Sequence, residues 1–175
     1  KNVRTAPSIS SDTEVDTKMD LSFISIGGLP NFKTSDLLNN PSNVFLEFGH
    51  EEKFMYIKNK NSGEIIVDSR EMQKTGCDFG IIIKLHPQNN QERTWACCAG
   101  FGIWGTSGAA YYLAYRWRDI LKWAGDKPFA CVVKAKATSD ESTEIVEAII
   151  RKQSWPSKII RKIRCRNCHF RITEF

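Results

Sequence analysis

At 175 residues, 41% hydrophobic and 26% charged, the chain is long enough for one buried core, and its composition is neither that of a disordered polypeptide nor that of a disulfide-stapled miniprotein. Its longest apolar run lies around Gly80 to Ile83, far short of the ~20 residues that a membrane-crossing helix needs. The formal charge of +5 is unevenly held: residues 151–175 carry eight Lys and Arg against Glu174 alone, so the remainder is slightly acidic.

Residues 1–19 are rich in Ser, Thr and Asp and read as a linker from an upstream domain, so the chain is expected to be the C-terminal module of a longer polypeptide. Asp20 to Ile26 alternates as a strand, breaks at Gly27-Gly28-Leu29-Pro30-Asn31, and passes into a short helical stretch over Thr34 to Leu38 with a capping hydroxyl. Val44 to Phe48, Phe54 to Lys58 and Glu64 to Asp68 are three short β-prone runs at hairpin spacing, which predicts an antiparallel meander inserted between the first and second core strands.

Phe79 to Leu85 and Thr94 to Ala99 are near-continuous apolar runs, the pattern of central strands covered on both faces. After Gly100 to Gly105, apolar residues from Ala109 to Ala124 recur at three- and four-residue steps. That spacing predicts one long helix, capped by Thr106 or Ser107 and ended by Gly125. Phe129 to Lys136 reads as another strand and Ser142 to Lys152 as a helix, while the segment from Lys158 fits a helix or a strand equally. The expected fold is therefore α/β: a mixed or mostly parallel sheet with helices on both faces and an inserted antiparallel meander. Residues 20–157 form the Rossmann-like domain and residues 158–175 a basic tail.

The six cysteines include Cys97, Cys98 and Cys131 inside apolar runs, which predicts free, buried thiols and favours a reducing compartment, the cytoplasm. Cys165-Arg166-Asn167-Cys168-His169 has the spelling of a haem attachment or of half a zinc site. Further ligands would have to come from Cys77, His50 or His86, and the pair is read as ordinary thiols, with no metal or cofactor expected.

Gly27-Gly28 with Asn31, and Gly100 to Gly108 with Trp104, Thr106 and Ser107, each follow a strand and open a helix. Glycine admits close backbone approach and a helix start attracts anions, so Gly27, Gly28, Asn31, Gly100, Gly102, Trp104, Gly105, Thr106 and Ser107 form the expected ligand site. The competing reading makes these residues small only so that the helix can lie close to the sheet. Phe32, Phe101 and Trp104 are candidate stacking partners for a base, or core.

Gly102-x-x-Gly105-Thr106 after an apolar strand, with Gly27-Gly28 after the first, resembles the SLOG domains typified by LOG and DprA proteins, over two short motifs between Asp20 and Ala124. The resemblance implies a nucleotide-derived ligand and, as in some members, a sensor joined to an effector domain. LOG enzymes place an acidic residue soon after Gly-Thr. Here Ala109 and Ala110 stand there, which puts hydrolysis of an N-glycosidic bond in question.

The alternatives come from other classes. Gly105-Thr106-Ser107-Gly108 is spelled like a serine protease turn, with His50 and Asp68 or Asp78 upstream, but the residues that follow predict a helix where a protease needs a strand. Asp78-Phe79-Gly80 is spelled like a kinase metal-binding turn without that family's other motifs, and Asp78 reads as a strand-start residue. The basic tail suggests a nucleic-acid or protein interaction module, although nothing outside it extends a basic groove. The leading expectation is a non-catalytic sensor of a nucleotide-like anion, regulating an upstream effector, with a further copy of the chain among its candidate partners.

Overall fold

The computed structural model describes residues 7–15, 21–151, 161–164 and 171–175. A four-residue helix α1 (Asp12–Val15) precedes strand β1 (Phe23–Ile26) and helix α2 (Phe32–Asn39). Strands β2 (Leu46–Glu51), β3 (Phe54–Asn59) and β4 (Ile65–Asp68) follow, then helix α3 (Arg70–Thr75) and strands β5 (Cys77–Leu85) and β6 (Trp95–Gly100). Helices α4 (Ile103–Tyr115) and α5 (Trp117–Ala124) lead to β7 (Phe129–Lys136), β8 (Ser139–Ile150), β9 (Arg161–Arg164) and β10 (Arg171–Glu174).

The main sheet has the order β1-β6-β5-β7-β8-β10-β9. Its centre is antiparallel, β6 with β5, β5 with β7 and β7 with β8, and only β1 with β6 and β8 with β10 run parallel. β2, β3 and β4 form a separate antiparallel sheet. Alternation along β5 divides the core. Phe79, Ile81, Ile83 and Leu85 pack with Leu37 and Leu38 of α2 and with Leu46, Phe48 and Ile57 of the small sheet. Ile82 points the other way, to Ala109 and Tyr112 of α4 and Ile120 and Ala124 of α5.

This overturns the expected α/β class with helices on both faces: the protein is mostly β, with α4 and α5 on one face and a second sheet, joined by α2, on the other. The expected helix over Ser142 to Lys152 is overturned: Ser142 to Ile150 belong to β8, because Thr143, Ile145, Val146, Ile149 and Ile150 are β-branched and find a ready antiparallel partner in β7, while Lys152 lies outside the described residues. A two-residue turn joins the strands, with Thr138 at φ 67, so the hairpin carries none of the usual Gly or Asn signal. The single long helix is two. α4 begins at Ile103 after the extended Gly102 and stops at Arg116, whose Nε donates to Asp119 Oδ2 at 2.7 Å across the first turn of α5. α2 is capped by the Asn31 side chain, which accepts from the Thr34 N–H at 3.0 Å, in place of the expected hydroxyl.

The end of the basic segment is built into the sheet: β10 pairs with β8, Ile172 is buried, and Phe175 meets Phe45 edge to face at 5.8 Å. Glu147 on β8 is buried beneath the small sheet. It accepts from Asn59 Nδ2 and Thr173 Oγ1, both at 3.4 Å, with Arg171 at 4.0 Å. Burial pushes its carboxyl above the ordinary range, and Arg171 and the two hydrogen bonds offset this in part.

Candidate functional site

β1 and β6 are adjacent and parallel, so the loops that leave them emerge side by side at one edge of the sheet. The Gly27 N–H donates to the Cys98 carbonyl at 3.0 Å, and a Cβ placed on Gly28 would sit 3.7 Å from the Gly100 carbonyl oxygen. The two glycine loops thus form a single crest. Gly27 has φ 148, a conformation that favours glycine. Asn31, Ser25 and Thr34 tie the first loop from beneath: Ser25 Oγ donates to Asn31 Oδ1 at 2.8 Å and Thr34 Oγ1 donates to the Gly27 carbonyl at 3.1 Å. The Asn31 carbonyl oxygen is therefore occupied by its own loop.

The start of α4 is occupied as well. Asp78, buried at the head of β5, accepts from the Gly102 N–H at 3.2 Å and from the Gly105 N–H at 2.7 Å. A carboxylate thus sits where the unpaired amides and the helix dipole favour negative charge, supplied by the protein itself. The Thr106 N–H and hydroxyl are both turned back to the Gly102 carbonyl, at 3.2 and 3.1 Å. Close approach explains the small residues here. A Cβ on Gly80 would run into the Gly105 carbonyl, one on Gly105 into the Phe79 carbonyl, and one on Gly100 into the Thr106 nitrogen. What stays open along the crest is Gly28 and Gly102, both half-buried, together with exposed Ile103, Trp104 and Phe32. Phe101 is core, packed on Phe48 at 5.4 Å and Phe79 at 6.5 Å.

Ser107 lies in the second turn of α4, and its hydroxyl donates to Asp140 Oδ1 at 2.6 Å. Its acceptor is a carboxylate, without the imidazole that would draw off a proton, so the contact ties α4 to the β7–β8 hairpin and activates no nucleophile. His86 Nδ1 lies 2.8 Å from the Arg93 carbonyl, and Asp68 pairs with Arg70. Among the described residues no three His, Cys, Asp or Glu side chains gather as a metal site. Cys165, Cys168 and His169 lie outside the described residues. Cys77, Cys97, Cys98 and Cys131 are free thiols.

Asp78 is the residue whose role the sequence hid. Its one local signal is an acidic group opening an otherwise apolar central strand, where a buried carboxylate must find donors. No helix of the described residues is long and apolar enough to cross a membrane. Comparison with protein-family models, with characterised proteins and with solved structures finds no match to this chain.

Proposed function

We propose that the domain is a non-catalytic recognition module that takes a nucleotide-derived small molecule at the crest where the β1–α2 and β6–α4 loops meet, and passes its occupancy to an effector joined to the same chain. The observation that carries this reading is the placement of Gly28 beside the Gly100 carbonyl, which leaves a Cβ-free crest at the carboxyl ends of two adjacent parallel strands. The SLOG-like spelling of the two loops supports the ligand class, although the surrounding sheet is not Rossmann-like. Asp78 gives the site a polarity: a phosphate at the start of α4 would meet a like charge already in place. Base and sugar therefore contact the crest, against the exposed Trp104 and Phe32 rings, and the phosphates project towards solvent.

Calorimetry with a panel of nucleosides and mono-, di- and cyclic nucleotides tests this. At least one nucleoside scaffold is expected to bind, with loss of its phosphates weakening binding less than about 10-fold, or about 1.4 kcal/mol. Gly28→Leu, which fills the crest from a half-buried position where an added Cβ meets only ordinary contacts, is expected to abolish the heat without lowering the melting temperature. A silent panel, or binding that survives Gly28→Leu, overturns the reading.

A further inference from the structure

The outermost strands of the two sheets are β1 and β9 in one and β2 and β4 in the other, and all but β1 carry charge. β2 holds Glu47 and Glu51, β4 ends on Asp68, and β9 is Arg161-Lys162-Ile163-Arg164. Charge on an outermost strand opposes pairing with another chain, which is how native proteins ordinarily close such an edge. β1 is Phe23-Ile24-Ser25-Ile26, without a charge or a proline. Its main-chain direction shows which groups are open. The Phe23 and Gly27 N–H groups donate to the Thr94 and Cys98 carbonyls, on the β6 side, at 3.1 and 3.0 Å. Successive residues of a strand turn their main-chain groups to opposite sides, so Ile24 and Ile26 present theirs outward. Among the described residues no hydrogen bond reaches them there. Their side chains, two residues apart on a strand, share one face beside their register partners Ala96 and Cys98. Those partners are buried, whereas Ile24 and Ile26 are 63% and 59% exposed. An open main-chain edge and a bare β-branched pair thus coincide on one strand.

We propose that β1 is a pairing edge for a second copy of the chain, the two β1 strands running antiparallel about a two-fold axis at Ser25 so that the main sheets join into one. In that register Ile24 of each copy lies opposite Ile26 of the other. Both are outward-facing positions, so each such pair exchanges both of its N–H···O=C bonds, and the isoleucines of the two copies meet on one face of the joined sheet. The strand itself specifies a second copy as the occupant. An uncharged edge meets its like without repulsion, and apolar residues meet apolar ones in register, which a pairing of β9 with β9 would not allow. The assembly also closes. The joined sheet ends on the cationic β9 at both sides, so no third copy is added. A four-residue edge buries far less than the ~1,200 Å² at which stable interfaces begin, which makes this a weak, concentration-dependent pair.

Sedimentation of the 175-residue chain from about 10 µM to about 1 mM, the range in which a small interface associates, is expected to show mass rising from 19.9 kDa towards twice that value and no further. Ile24→Lys, which puts a charge on the exposed edge, is expected to keep the chain monomeric throughout with an unchanged circular dichroism spectrum. Hydrogen exchange reads the main chain directly. The Ile24 and Ile26 amides, open in one copy and bonded in two, should exchange at least about 3-fold more slowly at the top of the range than at the bottom. That measurement uses the unaltered chain, so it stands whatever the substitution does to folding. A wild-type chain that stays monomeric at about 1 mM, growth past the dimer, a dimer indifferent to Ile24→Lys, or Ile24 and Ile26 amides that exchange equally fast at both concentrations overturns the proposal. Mass and exchange are read without nucleotide, so the outcome is independent of ligand binding at the crest.

Discussion

Replacing Asp78 by Ala removes a buried carboxylate that accepts from the Gly102 and Gly105 N–H groups at the start of α4, besides its neighbour Phe79, and the loss at the helix can be worked from the first two contacts. A hydrogen bond to a charged group contributes about 1.5–3 kcal/mol, and a buried amide left without a partner costs about 1–3 kcal/mol. The bond to Gly105, at 2.7 Å and fully buried, belongs at the strong end, and that to Gly102, at 3.2 Å and half-buried, at the weak end. Favourable interaction with the helix start adds about 0.3–1 kcal/mol. These terms overlap, so the expected cost is about 4 kcal/mol, a large share of the ~5–15 kcal/mol that holds a domain together. For a chain of this length that lowers the melting temperature by roughly 8–16 °C. Asp78→Asn keeps one acceptor oxygen and loses the charge, so it should cost about half as much. Thermal unfolding followed by far-ultraviolet circular dichroism measures both. An Asp78→Ala protein that melts within about 2 °C of wild type would show that the carboxylate does not secure α4, and would leave the helix start free for an outside anion after all.

Four further outcomes follow from the same packing. Gly80→Ala and Gly105→Ala each drive a Cβ into the other element's main chain and should cost at least about 3 kcal/mol in urea unfolding; Gly63→Ala, at φ 73 with nothing near it, should cost only about 1 kcal/mol. Ser107→Ala loses the bond to Asp140, about 1 kcal/mol, and should leave hydrolysis of nitrophenyl esters at the buffer rate in mutant and wild type alike; an activity lost on mutation would revive the nucleophile. Because burial raises the Glu147 carboxyl in the folded state, its favourable contribution is complete below the ordinary carboxylate range and is lost as pH rises through the raised value. Glu147→Gln should therefore flatten that decline in melting temperature, and an unchanged pH profile would sink the assignment. With Cys165 and Cys168 changed to Ser, a disulfide reagent should label Cys77 alone in the folded protein, since burial pushes Cys98 up to about 12 and Cys97 and Cys131 further still.

The central strands are legible because burial on both faces writes an unbroken apolar run, as in Phe79 to Leu85, and nothing competes with that reading. β8 is not legible locally. Glu144, Ala148 and Arg151 favour a helix and Thr143, Ile145 and Val146 a strand, and the choice is made by the neighbouring β7, which no local window contains. The direction of the sheet is hidden for the same reason, since the antiparallel step from β7 to β8 turns on Ala137 and Thr138, neither of which is a hairpin residue by type. The break between α4 and α5 falls at Arg116, an ordinary helix former, so the apolar spacing continues smoothly through a real interruption.

The glycine loops illustrate a deeper ambiguity. A turn that must admit a ligand and a turn that must admit a neighbouring strand need the same thing, a backbone without Cβ atoms, and so are spelled alike. A helix start that waits for an anion and one already satisfied also look alike within the loop, because the unpaired amides carry no mark in sequence. What separates the two cases here is Asp78, 24 residues before Gly102 and 27 before Gly105, brought to the helix only because β5 pairs with β6 and lies under α4. Filling the helix start from within has a consequence for recognition. The helix start is filled by the protein's own Asp78 carboxylate before any ligand arrives. On the proposed reading, a ligand at the crest is therefore selected by shape and by ring contacts against Trp104 and Phe32, with little help from charge.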